Sequence, residues 1–405
     1  MVKLAERVAG LPPYVFAKAD RKIAEIKAAG IDVINLGIGS PDMAPPAWIV
    51  DRLVETARRD NQHGYGGFYG VPKLRQAVAD YYQQRFAVPL DPAREVAMLI
   101  GSKEGLFNMA LAYLDPGDVC LVPDPGYPTY SLGTHMASGT SYYFPLLAER
   151  DFLPDLEAVP TAVLQKTKLL WLNYPNNPTG ATADLSALEP AVAFCRRHDI
   201  LLCFDNPYCD LTFDGYVAPS ILQIPGAKDV TVEFNSLSKT YNMAGWRVGY
   251  AVGNAEAVAA LALTKTNIDS GIFLPIQEAA AAALTGDQSW LAARNMIYQR
   301  RRDVVMAFLP SLGMSARCAR AAMYVWAQLP PGAPTSLEYS QQVLERTGVW
   351  VTPGSAFGQH GEGFVRIALT ISEERLIEAG KRLREDAAGT SAGTARGGPR
   401  FPGKG

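Results

Sequence analysis

From about residue 95 the chain alternates short apolar, β-branched runs with longer stretches whose apolar residues recur every three or four positions. The runs are EVAMLIG, DVCLVP, KLLWLNYP, ILLCFDNPY, DVTVEFNSLS and RVGYAVGN; helix-like stretches such as KEGLFNMALAYL and LSALEPAVAFCRRHD lie between them. Strands that alternate with helices of this length need a crossover for each parallel pairing, so the pattern predicts a doubly wound, mostly parallel α/β sheet covered by helices. After LTGDQSW the pattern changes to a long charged helix over Arg294–Phe308, short strands in MYVWAQ, GVWVTP and FVRIAL, and a last helix near Ser372–Glu385. This reads as a smaller α+β domain. The expected division is a large domain over 48–285, a small domain built from 1–47 (with an N-terminal arm) and 286–386, and a disordered tail over 387–405, which is rich in Gly, Ala and Pro.

Composition bears on partners. At 405 residues and 48% hydrophobic, the chain can bury two cores. Its 38 basic and 40 acidic residues leave a net charge of -2 without long single-sign runs, so no footprint for nucleic acid or a membrane surface is expected and small molecules are the expected partners. The five cysteines form no C-x-x-C pair and the four histidines no ligand set, so neither a disulfide framework nor a metal site is expected. No run approaches the ~18 apolar residues of a membrane span, and the N-terminus lacks a signal-peptide core, which places the expected location in the cytoplasm.

Into this apolar frame the segment SLSKTYNMAGWRVGY, residues 236–250, brings Lys239 and, eight positions on, Arg247. A lysine that forms a Schiff base needs partial burial to lower its pKa and an anion site beside it; Ser236 and the forked guanidinium of Arg247 suit a phosphate. Upstream, LIGSKEGLFNMA passes from strand to helix through Gly101-Ser102-Lys103, exposing N–H groups that could bind an anion or simply cap the helix. LNYPNNPTG and CFDNPY each follow an apolar strand and could be ordinary turns. They also put Asn177, Asp205 and Tyr208 at strand C-terminal ends, where open α/β sheets bind ligands.

Taken together, N-N-P-T-G, D-x-x-Y, S-x-S-K and the arginine beyond the lysine resemble the class I, fold-type I aminotransferases that depend on pyridoxal 5'-phosphate (PLP), from NLGIGSPD near residue 35 to FVRIALT near 370. The resemblance implies a fold with a large PLP-binding domain and a smaller one, and a reaction that moves an amino group between an L-amino acid and a 2-oxo acid through a pyridoxamine phosphate form. Lys239 would carry PLP as a Schiff base and transfer the proton; Asp205 would face the pyridine nitrogen; Tyr208 and Asn177 would bond the phenolic oxygen. Ser102, Lys103, Ser236, Ser238 and Arg247 would hold the phosphate. Tyr127 would stack on the ring, and Tyr65 in HGYGGFYG would reach the partner's phosphate in a homodimer with composite sites. Arg366, with Asn177, would receive the substrate carboxylate, and the backbone at Ile38-Gly39 would close over it. The wording is similar to the branch that holds LL-diaminopimelate and alanine or glutamate-pyruvate aminotransferases. In the loop Tyr65-Gly66-Gly67-Phe68 an aromatic stands where plant-type diaminopimelate enzymes carry an acid. Arg294 and Arg300–Arg302 are expected on a solvated helix face. The same fold also serves β-eliminating C-S lyases, the alternative reading.

Overall fold

The computed structural model describes residues 2–11 and 15–391. Seven strands form the main sheet: β1 (Val96–Leu99), β2 (Val119–Asp124), β3 (Thr140–Pro145), β4 (Thr167–Asn173), β5 (Leu201–Asp205), β6 (Thr231–Ser236) and β7 (Gly249–Gly253), in the order β1-β7-β6-β5-β4-β2-β3. All pairings from β3 across to β6 are parallel, and β7 runs antiparallel to both of its neighbours. Alternate residues of the strands supply two apolar clusters. Met98, Leu121, Leu172, Phe204 and Val252 pack on one face with the helices Pro72–Phe86, Leu185–His198 and Leu274–Thr285. On the other, Leu99, Val122, Trp171, Cys203 and Phe234 pack with Ser102–Tyr113 and Ala255–Thr266. Helices on both faces are why the central strands read as continuous apolar runs rather than alternating ones. β3, TSYYFP, escaped that reading because it is an edge strand bonded only to β2, and most of its residues are exposed or half-buried.

The second sheet has four antiparallel strands in the order 352–353, 364–368, 324–328, 315–316, with Arg366 paired in register with Trp326 and Thr352. Helices Trp290–Phe308, Ser336–Thr347 and Glu373–Ser391 share its core through Tyr298, Val305, Val343 and Leu376. Ile34–Asn35 pairs in parallel with Val349–Trp350, so the chain's first strand belongs with its last third.

Two expectations change. Arg294, Arg301 and Arg302 are buried, not solvated. Asp42 accepts from both Nη atoms of Arg301 at 2.8 and 2.7 Å, and Asp214 and Asp303 accept from Arg302. Desolvation is tolerable because Arg301 and Arg302 meet carboxylate and carbonyl acceptors, and Arg294 meets the carbonyls of Lys239, Thr240 and Asp210 and the Asn295 amide oxygen. The last helix also continues through residues 387–391, where disorder was expected, helped by the favourable helix propensity of Ala387 and Ala388. Residues 392–405 of the expected tail lie outside the described residues.

Candidate active site

The C-terminal ends of the parallel strands converge on a cavity of about 460 Å³ whose lining includes Ser102, Lys103, Tyr127, Asn177, Asp205, Tyr208, Ser236, Ser238, Lys239, Arg247 and Arg366. Ile38 and Gly39 close one side. Of the residues singled out in the sequence, Tyr65 alone lies elsewhere, 87% exposed on a loop. That loop is fixed from below by Gln277, which donates to the Gly66 carbonyl at 2.9 Å and accepts from Val71 N–H at 2.7 Å. Phe68, Tyr69, Ile268 and Phe273 are exposed as well.

Lys239 follows β6 in the single turn Leu237–Thr240, started by Ser236, whose Oγ accepts from the Ser238 N–H at 3.2 Å. Its Nζ donates to the Gly39 carbonyl at 2.6 Å and lies 6.0 Å from the centre of the Tyr208 ring. Burial pushes its ammonium below the usual lysine range, and the Arg366 and Arg247 cations act in the same direction against Tyr324 and Asp205. A lysine so placed has more of its amine free to attack a carbonyl.

Asp205 ends β5, beside Asn173 of β4. Tyr130 donates to its Oδ2 at 2.7 Å, while Oδ1 is buried without a hydrogen-bond partner. Burial pushes the carboxyl up to about 7, against the Tyr130 hydrogen bond and the charge of Lys239. A buried acceptor left unmatched costs about 1–3 kcal/mol, so a donor that reaches Oδ1 is strongly favoured. Tyr130 is itself held flat against Trp171, ring centres 5.0 Å apart and planes 9° from parallel.

At the opposite end Arg247 adopts φ 59°, and its Nη1 donates to the Ala244 carbonyl at 2.8 Å. A Cβ at Gly101 would stand 2.0 Å from Arg247 Nη2, and Gly101 has φ 73°, so glycine is required for the helix N-terminus to lie against the guanidinium. Burial and the adjacent Arg247 push Lys103 below its usual range. Two cations pressed together at a helix N-terminus suit a phosphate.

Arg366, also buried, donates through Nη1 to Asn177 Oδ1 at 2.8 Å and through Nη2 to the Gly37 carbonyl at 2.7 Å, with its guanidinium 4.3 Å above the Tyr324 ring. Tyr324 escaped the sequence reading, as did Tyr130 and Asn173. Asn173 donates to the Asp205 carbonyl at 2.6 Å and accepts from the Asn177 N–H at 2.7 Å, which ties the two motifs together. Asp20, from the helix Val15–Ala28, also lines the cavity.

PLP fits this set on its chemistry. The unmatched Asp205 oxygen suits a protonated ring nitrogen, the Gly101–Lys103 turn with Arg247 suits the phosphate, and the amine of Lys239 suits the aldehyde carbon.

Comparison with known proteins agrees. The family described as aminotransferase class I and II matches residues 31–383. The LL-diaminopimelate aminotransferase of Moorella thermoacetica is 52% identical over 94% of this chain and 97% of its own, and that of Nitratidesulfovibrio vulgaris 47% identical over 94% and 98%. Among solved structures, apo-BacF from Bacillus subtilis superposes with a TM-score of 0.92 at 39% identity, covering 96% of this chain and 99% of that one. The Thermus thermophilus aspartate aminotransferase with maleate gives 0.89 at 31%, covering 95% and 100%.

Proposed function

The chain belongs to the class I and II aminotransferases, and from that premise we propose LL-diaminopimelate as its amino donor and a role for each residue of the cavity. It is a PLP-dependent transaminase with a fold-type I architecture that moves an amino group between an amino acid and a 2-oxo acid; the named relatives side with this against β-elimination. When bound, PLP supplies an electrophilic carbon and a ring that accepts the electron pair left when the substrate's α-C–H bond breaks.

The chain's own residues do the rest. Lys239 Nζ would hold the cofactor covalently and would be the group to take and return the α-proton, a task for which its depressed pKa suits it. Asp205 Oδ1 would hold a proton on the ring nitrogen, while Tyr130 keeps the other oxygen occupied. Tyr208 and the amide nitrogen of Asn177 would donate to the ring oxygen, Tyr127 would stack on the ring, and Ser102, Lys103, Ser236, Ser238 and Arg247 would hold the phosphate. Arg366 receives the substrate carboxylate, with Ile38 and Gly39 covering it. The observation that carries this assignment is the buried carboxylate oxygen of Asp205, which has no hydrogen-bond partner among the described residues, in the same cavity as a half-buried lysine bonded to a neutral carbonyl.

Support for the donor comes from the relatives' names and from Asp20, whose carboxylate at the cavity could meet a distal ammonium that the Tyr65–Phe68 loop cannot. The exposed aromatic loop supports a homodimer in which Tyr65 completes the partner's phosphate site. A cytoplasmic location fits such a biosynthetic reaction. We take residues 48–285 as the cofactor-binding lobe, and 1–47 with 286–386 as the lobe that brings Arg366.

The test is the visible spectrum of the PLP-loaded protein, titrated separately with LL-diaminopimelate, alanine, glutamate and aspartate in the absence of a keto acid. LL-diaminopimelate is expected to bleach the band at the lowest concentration, and a 2-oxo acid to restore it. Bleaching by alanine or glutamate alone would move the donor assignment, and pyruvate with ammonia under an unbleached band would contradict transamination.

A further inference from the structure

Tyr324 is 2% exposed and sits where three parts of the cavity meet. Its hydroxyl is 3.0 Å from that of Tyr208, with the rings edge to face at 5.7 Å. The other side of the same ring carries the Arg366 guanidinium at 4.3 Å. A Cβ at Gly39 would stand 2.1 Å from the Tyr324 hydroxyl, so only glycine lets this phenol come so close, and the Gly39 carbonyl is the acceptor for Lys239.

We propose that Tyr324 is a positioning residue that couples the substrate-carboxylate site at Arg366 to the proton of Tyr208. The proposal rests on the cofactor reading above, in which Tyr208 donates to the ring oxygen. Tyr208 has one proton. If it goes to the cofactor, the bond between the two phenols must run the other way, with Tyr324 donating to the Tyr208 oxygen. A phenol that accepts a hydrogen bond is a stronger donor, because successive hydrogen bonds in a low-dielectric site polarise one another. The ring beneath Arg366 acts separately, through its π face, which holds the guanidinium in the plane from which it can bind a carboxylate. Hydroxyl and ring therefore serve two sites, and a shift of Arg366 on binding substrate is passed to Tyr208 through one rigid side chain.

Tyr324→Phe separates the two roles because it removes the hydroxyl and keeps the ring. The first readout is the pH midpoint of the absorption change of the PLP-loaded protein. The second is the affinity for propionate, a carboxylate that cannot react, followed by its spectral perturbation. Tyr324→Phe should raise the midpoint, by less than Tyr208→Phe raises it, because a stabilising donor to the ring oxygen is weakened rather than lost. Added to Tyr208→Phe it should have no further effect, since its influence runs through that hydroxyl. Propionate affinity should stay within about twofold in Tyr324→Phe and fall roughly tenfold in Tyr324→Leu, the loss expected for a desolvated cation over an aromatic face. A midpoint unmoved by Tyr324→Phe, or one that moves equally in the Tyr208→Phe background, would overturn the coupling while leaving the cofactor reading intact. If Tyr208→Phe itself leaves the midpoint in place, or the parent protein takes up no PLP, the cofactor reading fails and the coupling with it.

Discussion

Two groups of cations in this molecule are treated differently: Arg294, Arg301 and Arg302 are buried in one helix, while the cavity carries buried Arg366, half-buried Lys239 and exposed Arg247. In the helix Trp290–Phe308, Arg301 and Arg302 meet carboxylates, and Arg294 donates to the carbonyls of Lys239, Thr240 and Asp210. Around the cavity, Lys239 is bonded to the Gly39 carbonyl, Arg247 to the Ala244 carbonyl, and the two Nη atoms of Arg366 to an amide oxygen and a carbonyl. Among the described residues neither Lys239 nor Arg247 has a carboxylate within ion-pair distance. A buried cation satisfied away from the cavity, by carboxylates at Arg301 and Arg302 and by carbonyl and amide oxygens at Arg294, stabilises a fold, whereas Lys239 and Arg247, which line the cavity and donate to neutral carbonyls, keep their attraction for an anion that arrives from outside. The difference teaches which charges belong to the scaffold and which to the ligand.

The sharpest break of that contrast is Lys239→Ala. It should lower turnover by at least about 10⁴-fold, as expected if the proposed anchor and base are removed together, with the thermal midpoint of the cofactor-free protein little changed. A variant that keeps turnover within tenfold would remove Lys239 from the chemistry.

Next in size is a pH effect at Asp205. Its folded pKa, up at about 7, lies above the value of 3.8 for a solvated aspartate, so the native state holds the proton more tightly between the two. Stability of the cofactor-free protein should therefore fall as pH rises through that window, by up to about 4 kcal/mol from this group alone. Asp205→Asn has no proton to lose there. Melting both proteins without PLP at pH 5 and pH 8 should show the variant gaining on the parent at the higher pH; parallel losses would mean that Asp205 is already ionised at both.

What could be read from the sequence divides along the same line. The strands β1, β2 and β4–β7 announced themselves because helices cover both faces, and Asn177, Asp205 and Lys239 did so because each lies in a local motif at or just after the end of a strand. Tyr130 and Tyr324 carried no such mark. Their roles lie in hydrogen bonds to Asp205 and Tyr208, which are 75 and 116 residues away in sequence. The arginines of RNMIYQRRRD looked solvated for a related reason, because Asp42 and Asp214 lie 259 and 88 residues from the guanidinium groups they neutralise. Local spacing reports burial by periodicity, but it is blind to a charge matched from a distant segment.

Arg366→Lys keeps the charge at the proposed substrate-carboxylate site and removes the planar fork. Because the α-carboxylate is common to all amino acid donors, KM should rise about 30- to 100-fold for every one of them alike. An increase confined to one donor would reassign Arg366 to side-chain recognition.

The smallest expected effect tests the scaffold side of the comparison. Asp42→Asn removes the carboxylate that faces Arg301 but preserves its shape, leaving a buried guanidinium with an amide oxygen and the Leu369 carbonyl, at 3.0 Å, as acceptors. Asp42 is partly open to solvent, which limits the loss to about 1–2 kcal/mol of stability. Thermal unfolding should register that loss, while the PLP absorption midpoint and the KM for each donor stay where they were. Should KM rise instead with stability unchanged, Arg301 would join the ligand-facing cations.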